Sequence, residues 1–91
     1  MKQMHLIVSG KVQGVFFRDY VKKTAESLGL KGWVRNNSSG TVEAVAEGNE
    51  ETLKKLLEKC KEGPSAARVE DISVDWKEGT GEFREFLIIF K

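Results

Sequence analysis

Residues 5–36 read HLIVSGKVQGVFFRDYVKKTAESLGLKGWVRN, a passage from strand through helix to strand on which the fold turns. The run HLIVS (5–9) is short, apolar and rich in branched side chains, which suits a buried strand. Phe17, Val21, Ala25 and Leu28 then recur at helical spacing. Gly29 ends that stripe, where the left-handed conformation of a helix terminus costs glycine little. KGWVRN (31–36) reads as strand again. GTVEAVAEG (40–48) alternates Val42, Ala44 and Ala46 against Thr41, Glu43 and Glu47, and the turn formers Asn37, Ser38 and Ser39 join the two runs as a hairpin.

The second half repeats the plan. Asn49 can cap a helix whose first turn carries Glu50 and Glu51, with Leu53, Leu56, Leu57 and Cys60 on one face, until Gly63 and Pro64 stop it. VEDISVDWK (69–77) alternates Ile72, Val74 and Trp76 against Ser73 and Asp75, and FLIIF (86–90) gives a short final strand. The order is therefore βαββαβ plus one strand. This predicts an α+β fold of the ferredoxin-like, split β-α-β kind, an antiparallel sheet with two helices on one face. That architecture hosts many functions and chooses none.

Composition narrows the field. Ninety-one residues make one domain, 1–91, with 40% hydrophobic and 32% charged residues, as in a chain that folds unaided. Fifteen basic and fourteen acidic residues leave a net charge of +1, a poor basis for gripping nucleic acid or an anionic membrane. The single cysteine, Cys60, cannot close an internal disulfide, and no N-terminal run has the length of a signal peptide or membrane span. A reducing, cytoplasmic compartment is expected.

The segment GKVQGVFFR (10–18) interrupts an apolar run with glycines and sets Arg18 where the helix begins. A glycine loop opening a helix turns unpaired N–H groups outward, and the helix dipole adds positive potential there. An arginine at that pole is unfavourable by about 0.3–1 kcal/mol unless an anion answers both. Its planar fork can take two oxygens of a phosphoryl group while amides around Gln13 to Phe17 take others. On spacing alone a plainer alternative stays open. Gly10 and Gly14 could simply shape a turn, with Arg18 solvated or paired with Asp19 or a glutamate elsewhere. The segment is neither a Walker loop nor a dinucleotide fingerprint.

Three stretches, GKVQGVFFR (10–18), GLKGWVRNNSSGTVEA (29–44) and GPSAARVEDI (63–72), closely resemble the acylphosphatase family over nearly the whole chain. The resemblance implies that the segment of type G-x-V-Q-G-V-x-F-R is a phosphate-binding loop. Gln13, Gly14, Val15, Phe16, Phe17 and Arg18 would then bind substrate, with Arg18 holding the phosphoryl group. The asparagine of G-W-V-x-N falls on Asn36, which by the same resemblance orients the attacking water. The implied reaction is hydrolysis of the carboxyl-phosphate bond of an acyl phosphate to a carboxylate and inorganic phosphate, with no metal and no cofactor. The implied partner is that small molecule alone, acted on by a monomer without nucleic acid or membrane. Two departures stand out. Asn37-Ser38-Ser39 precedes Gly40 where many members carry an acidic residue, and EFREFLIIFK matches the last strand of the family only loosely. Similar segments also occur within large hydrogenase-maturation proteins, whose additional domains are not expected here.

The chemistry is coherent without a titrating base. A phosphoryl group in flight needs positioning and charge stabilisation, and a carboxylate leaves readily, so Asn36 need only align water. Without the resemblance, Asn36 and Asn37 would read as the start of a turn. His5 lacks companions for a zinc site or a triad, Cys60 reads as a small packed hydrophobe, and Trp33, Trp76 and the five phenylalanines read mostly as core. Two rivals remain. A single-stranded RNA reader fits poorly, since Phe16 and Phe17 are adjacent rather than alternating on a strand face. A domain that binds a small anion without turning it over is compatible with the loop by itself.

Overall fold

The computed structural model describes residues 1–90; the expected domain extends one residue further, to Lys91, which lies outside the described residues. Seven elements follow the predicted order: β1 (Lys2–Lys11), α1 (Phe17–Ser27), β2 (Lys31–Asn36), β3 (Val42–Gly48), α2 (Glu50–Glu62), β4 (Arg68–Glu78) and β5 (Phe86–Ile89). The outer ends of β1 and β4 exceed the apolar runs because the two strands pair with each other from Lys2 opposite Glu78 to Lys11 opposite Arg68. Main-chain bonding carries a strand past the point where side-chain patterning fades. The helix boundaries follow local chemistry. The Asn49 side chain accepts from the Glu51 amide at 2.9 Å, and α2 ends before Gly63.

The sheet order is β4-β1-β3-β2-β5. The first four strands pair antiparallel, as expected, and β5 joins the open edge of β2 in parallel, with Gly32 opposite Phe86 and Val34 opposite Ile88. Strand alternation sends Met4, Leu6, Val8, Val34, Val42, Ala44, Ala46 and Phe86 to the face covered by both helices. There they meet Phe17, Val21 and Ala25 of α1 and Leu53, Leu56 and Cys60 of α2. Desolvation pushes the Cys60 thiol up to about 12, so it packs as an inert hydrophobe. Among the described residues no helix is long and apolar enough to cross a membrane.

The parallel strand has a specific cause. Residues 79–85 must cross from the β4 edge to the β2 edge, and a buried carboxylate pins the crossing. Glu47 is 3% exposed. One oxygen accepts from the Gln3 side chain (2.7 Å), the Thr80 amide (2.7 Å) and the Thr80 hydroxyl (3.1 Å), and the other accepts from the Gly81 amide (3.0 Å). Burial by itself would raise its pKa, but the Thr80, Gln3 and Gly81 hydrogen bonds outweigh it and hold the carboxyl below its usual value. Its stabilising contribution is therefore complete above the unfolded-state pKa and is lost as pH falls through the folded one. Glu47→Ala strands these donors and is expected to cost about 3 kcal/mol. Chemical denaturation at neutral pH should register that loss, and the difference from wild type should shrink in acid. An unchanged midpoint would remove Glu47 from the account.

Candidate functional site

Strand directions bring three chain segments to one end of the sheet. Strands β1, β2 and β5 run the same way, so the loop after β1, the last residue of β2 and the residue after β5 share that end. Asn36 closes β2 opposite Val42, which on its other side faces Val8 of β1. Asn36 thus lies two strand spacings, about 9–10 Å, from the β1 row. Period-two alternation turns its side chain to the same face as the buried Val34, under the start of α1.

The loop itself divides labour among its residues. Gly10 is structural: a Cβ there would sit 2.1 Å from the Arg68 carbonyl oxygen, beside the bulge where β1 shifts register against β4. Gly14 is different. Its φ of +73° favours glycine, while a Cβ would meet nothing within 4 Å, so the loop is open on that side. Buried Val12 and Val15 anchor the loop to the core. The Gln13 side-chain amide donates to the Asn37 carbonyl at 2.7 Å and the Thr41 carbonyl at 2.9 Å, tying the loop to the β2–β3 turn.

Phe16 then caps α1 in the left-handed conformation, φ 64°, ψ 24°, and supplies no side-chain hydrogen bond to the helix start. The first intrahelical bond runs from the Tyr20 amide to the Phe16 carbonyl, leaving the amides of Phe17, Arg18 and Asp19 without helical acceptors. The alternative pairing of Arg18 with Asp19 is not formed: Asp19 binds Lys23 at 3.1 Å. Arg18 stacks its guanidinium 4.9 Å from the centre of the Phe90 ring and has no carboxylate partner among the described residues. Stacking occupies one face of the guanidinium and leaves its N–H edge available.

A cavity of about 330 Å³ unites these groups. Gly14, Phe16, Phe17 and Arg18 border it from the loop and helix, Asn36 from β2, and Ile88 and Phe90 from the last strand and its end. Of the residues singled out in the sequence, Gln13 and Val15 do not line it. The Gln13 side chain is committed to the turn, and Val15 is turned into the core. Asn36 and Asn37 also part company. Asn37 builds the turn, its amide nitrogen donating to the Thr41 carbonyl and its side chain to the Thr41 hydroxyl. Oδ1 of Asn36 is buried and has no hydrogen-bond partner, the sole such side-chain atom among the described residues. Buried acceptors are nearly always satisfied in folded proteins, so an isolated one on a residue that borders the cavity is a candidate acceptor for a polar ligand.

Sequence patterning misplaced the aromatic residues here. Phe17 and Phe86 are core, but Phe16 and Phe90 are 82% and 75% exposed and Trp76 is 41% exposed. Ile88 and Phe90 are site residues that no motif in the sequence marks, although alternation in FLIIF puts Phe86, Ile88 and Phe90 on one face. A hollow of about 420 Å³ on the uncovered sheet face involves His5, Trp33 and Glu43. Of its two carboxylates, Glu43 and Asp75, Glu43 is already satisfied: it takes hydrogen bonds from His5 (2.5 Å) and Arg35 (3.0 Å), which outweigh burial and lower its pKa. Among the described residues no three His, Cys, Asp or Glu side chains gather as metal ligands.

Comparison with known proteins gives a consistent result. The sequence model of the acylphosphatase family matches residues 4–88. An acylphosphatase of Pyrobaculum aerophilum is 53% identical over 90 residues, 98% of this chain and 95% of that protein. One from Pelotomaculum thermopropionicum is 50% identical over 86 residues, 94% of each chain. The crystal structure of acylphosphatase from Bacillus subtilis superposes with a TM-score of 0.95 at 40% identity, covering 98% of this chain and 99% of that one.

Proposed function

The chain belongs to the acylphosphatase family, hydrolases of the mixed anhydride between a carboxyl group and phosphate, and on that premise we propose how its cavity performs the reaction. The open amides of Phe17, Arg18 and Asp19 and the N–H edge of Arg18 bind the phosphoryl oxygens. Asn36 Oδ1 accepts a hydrogen bond from water and aims its lone pair at phosphorus. As the new O–P bond forms, the bond from phosphorus to the acyl oxygen breaks and its electron pair leaves with the carboxylate. The water proton passes to a phosphoryl oxygen of the product. Charge grows on the equatorial and leaving oxygens, where the guanidinium and helix start are already oriented, so little reorganisation is needed.

What carries this reading is the meeting, around one cavity, of an arginine without a carboxylate partner among the described residues, three open helix amides and a buried amide oxygen with no protein partner. It requires no general base, because the leaving carboxylate is already a weak base, and no metal. In the same reading the chain works as a monomer in the cytoplasm without nucleic acid or membrane. A net charge of +1 speaks against nucleic acid and an anionic membrane, and one free, buried thiol fits a reducing compartment. Following benzoyl phosphate cleavage with chelator in excess tests the scheme. Turnover is expected to persist undiminished, with inorganic phosphate raising KM and leaving kcat unchanged. Loss of activity in chelator, or phosphate that fails to compete, would overturn it.

A further inference from the structure

The reaction needs two groups at a fixed separation: the phosphoryl-binding start of α1, reached through residues 12–16, and Asn36 at the end of β2. The sheet ladder does not fix that separation by itself. Pairing of β1 with β3 runs out at Val8 opposite Val42, pairing of β2 with β3 runs out at Asn36 opposite Val42, and residues 9–11 of β1 pair with β4. Past this row the chain leaves the ladder as the loop 12–16 on one side and the turn 37–41 on the other. One side chain spans the gap. Nε2 of Gln13 donates to the Asn37 carbonyl at 2.7 Å and to the Thr41 carbonyl at 2.9 Å. Both oxygens also close the turn itself, the Asn37 carbonyl accepting from the Gly40 amide at 3.1 Å and the Thr41 carbonyl from the Asn37 amide at 2.9 Å. The Gln13 amide therefore grips the turn at both of its closing bonds, next to Asn36 in the chain. At the other end of the tether, Val12 and Val15 are buried and hold the loop to the core. Among the described residues no other side-chain hydrogen bond joins the loop to the turn. A primary amide has two N–H donors, and Gln13 spends both here, outside the lining of the cavity, so it has none left to offer a phosphoryl oxygen.

We propose that Gln13 is a positioning residue for the hydrolysis: it touches no substrate and acts through Asn36, setting that residue's Oδ1 against the bound phosphoryl group. This rests on the reading of Asn36 given above and adds the device that puts it in place. Without the tether, loop and turn shift independently. The water held by Asn36 then leaves the line of attack while the contacts of Arg18 and the helix amides with phosphate persist, and a misplacement of about 1 Å can cost about 10²-fold in rate. The loss should fall on kcat and leave phosphate affinity alone.

A double-variant cycle with Asn36→Ala tests this. Gln13→Leu removes the donor at similar length and leaves both carbonyls their bonds within the turn. It is expected to lower kcat for benzoyl phosphate about tenfold or more in the wild-type background, to lower it less than about twofold in the Asn36→Ala background, and to leave the inhibition constant of inorganic phosphate near wild type. Gln13→Glu keeps the shape but turns a carboxylate toward two carbonyl oxygens. Its kcat relative to wild type should be low at neutral pH and recover in acid, where the protonated carboxyl again donates to one of them. Losses that multiply in the double variant, a phosphate inhibition constant that rises as far as kcat falls, or a Glu variant as active as wild type at neutral pH would overturn the proposal and leave the hydrolase reading intact. Early thermal unfolding with kcat unchanged would make Gln13 structural alone and overturn it equally. Unchanged kcat in Asn36→Ala by itself would refute the water-orienting reading, and the proposal with it.

Discussion

Arg18→Ala is expected to lower kcat/KM for benzoyl phosphate by about 10³-fold or more while leaving the fold as stable as wild type, or slightly more so. The activity estimate follows from arginines that stabilise charge in phosphoryl transfer. Stability moves the other way because of where Arg18 sits. As the second residue of α1, its cation faces the positive end of the helix dipole, an arrangement unfavourable by about 0.3–1 kcal/mol. It recovers no ion pair among the described residues, and its stacking on Phe90 involves a largely exposed ring. Activity and stability should therefore separate, which a structural arginine would not produce. Arg18→Lys keeps the charge but loses the two-pronged geometry, so it should recover only part of the loss. Steady-state kinetics beside thermal unfolding checks both halves. Near-normal turnover in the alanine variant would remove Arg18 from the reaction, and a collapse in stability would make it structural.

The parts of this molecule legible in its sequence were those in which a local pattern and a tertiary need coincide. Phe17, Val21 and Ala25 predicted α1 because the face they share is the face that is buried, and Asn49 marked the start of α2 through a cap formed within three residues. The strand order followed from the alternation of elements. Pairing was less legible: β1 gains length from bonds to β4, whose partners lie 57 to 76 residues further along the chain, and no pattern within HLIVS announces that. The parallel direction of β5 depends on residues 79–85 crossing the one end of the sheet where β4 stops and β2 starts, a crossing that Glu47 holds at Thr80 and Gly81 through contacts between distant segments. At the site, the resemblance pointed to the loop, but Gly10 and Gly14 look alike in sequence and serve different ends. Phe16 and Phe90 were misread as core because apolar character normally means burial. They depart from that rule where a ligand is the missing neighbour, and local rules fail most often at such positions.

Asn36→Ala should lower kcat for benzoyl phosphate by about 10²-fold or more, leave the inhibition constant of inorganic phosphate near its wild-type value, and cost the fold almost nothing. The first expectation follows from geometry: a water left to find its own orientation loses the advantage of a near-attack arrangement, and small misplacements there cost about 10² in rate. The second follows because phosphate is gripped by Arg18 and the start of α1, which the substitution does not touch. In kinetic terms kcat and kcat/KM should fall together, the signature of an interaction made only as the bond breaks. The third expectation separates this position from its neighbour. Asn37 spends its amides on the Thr41 turn, whereas Oδ1 of Asn36 is buried without any partner in the protein. Removing an unpaired acceptor relieves a desolvation penalty instead of breaking a bond, so the alanine variant should unfold at the wild-type temperature or above it. A buried group that weakens the fold by being present and is missed only during turnover is what a water-orienting residue requires. If phosphate binding collapsed while turnover at saturation survived, or if the variant unfolded early with catalysis intact, Asn36 would be a structural residue after all, and the attacking water would need another guide.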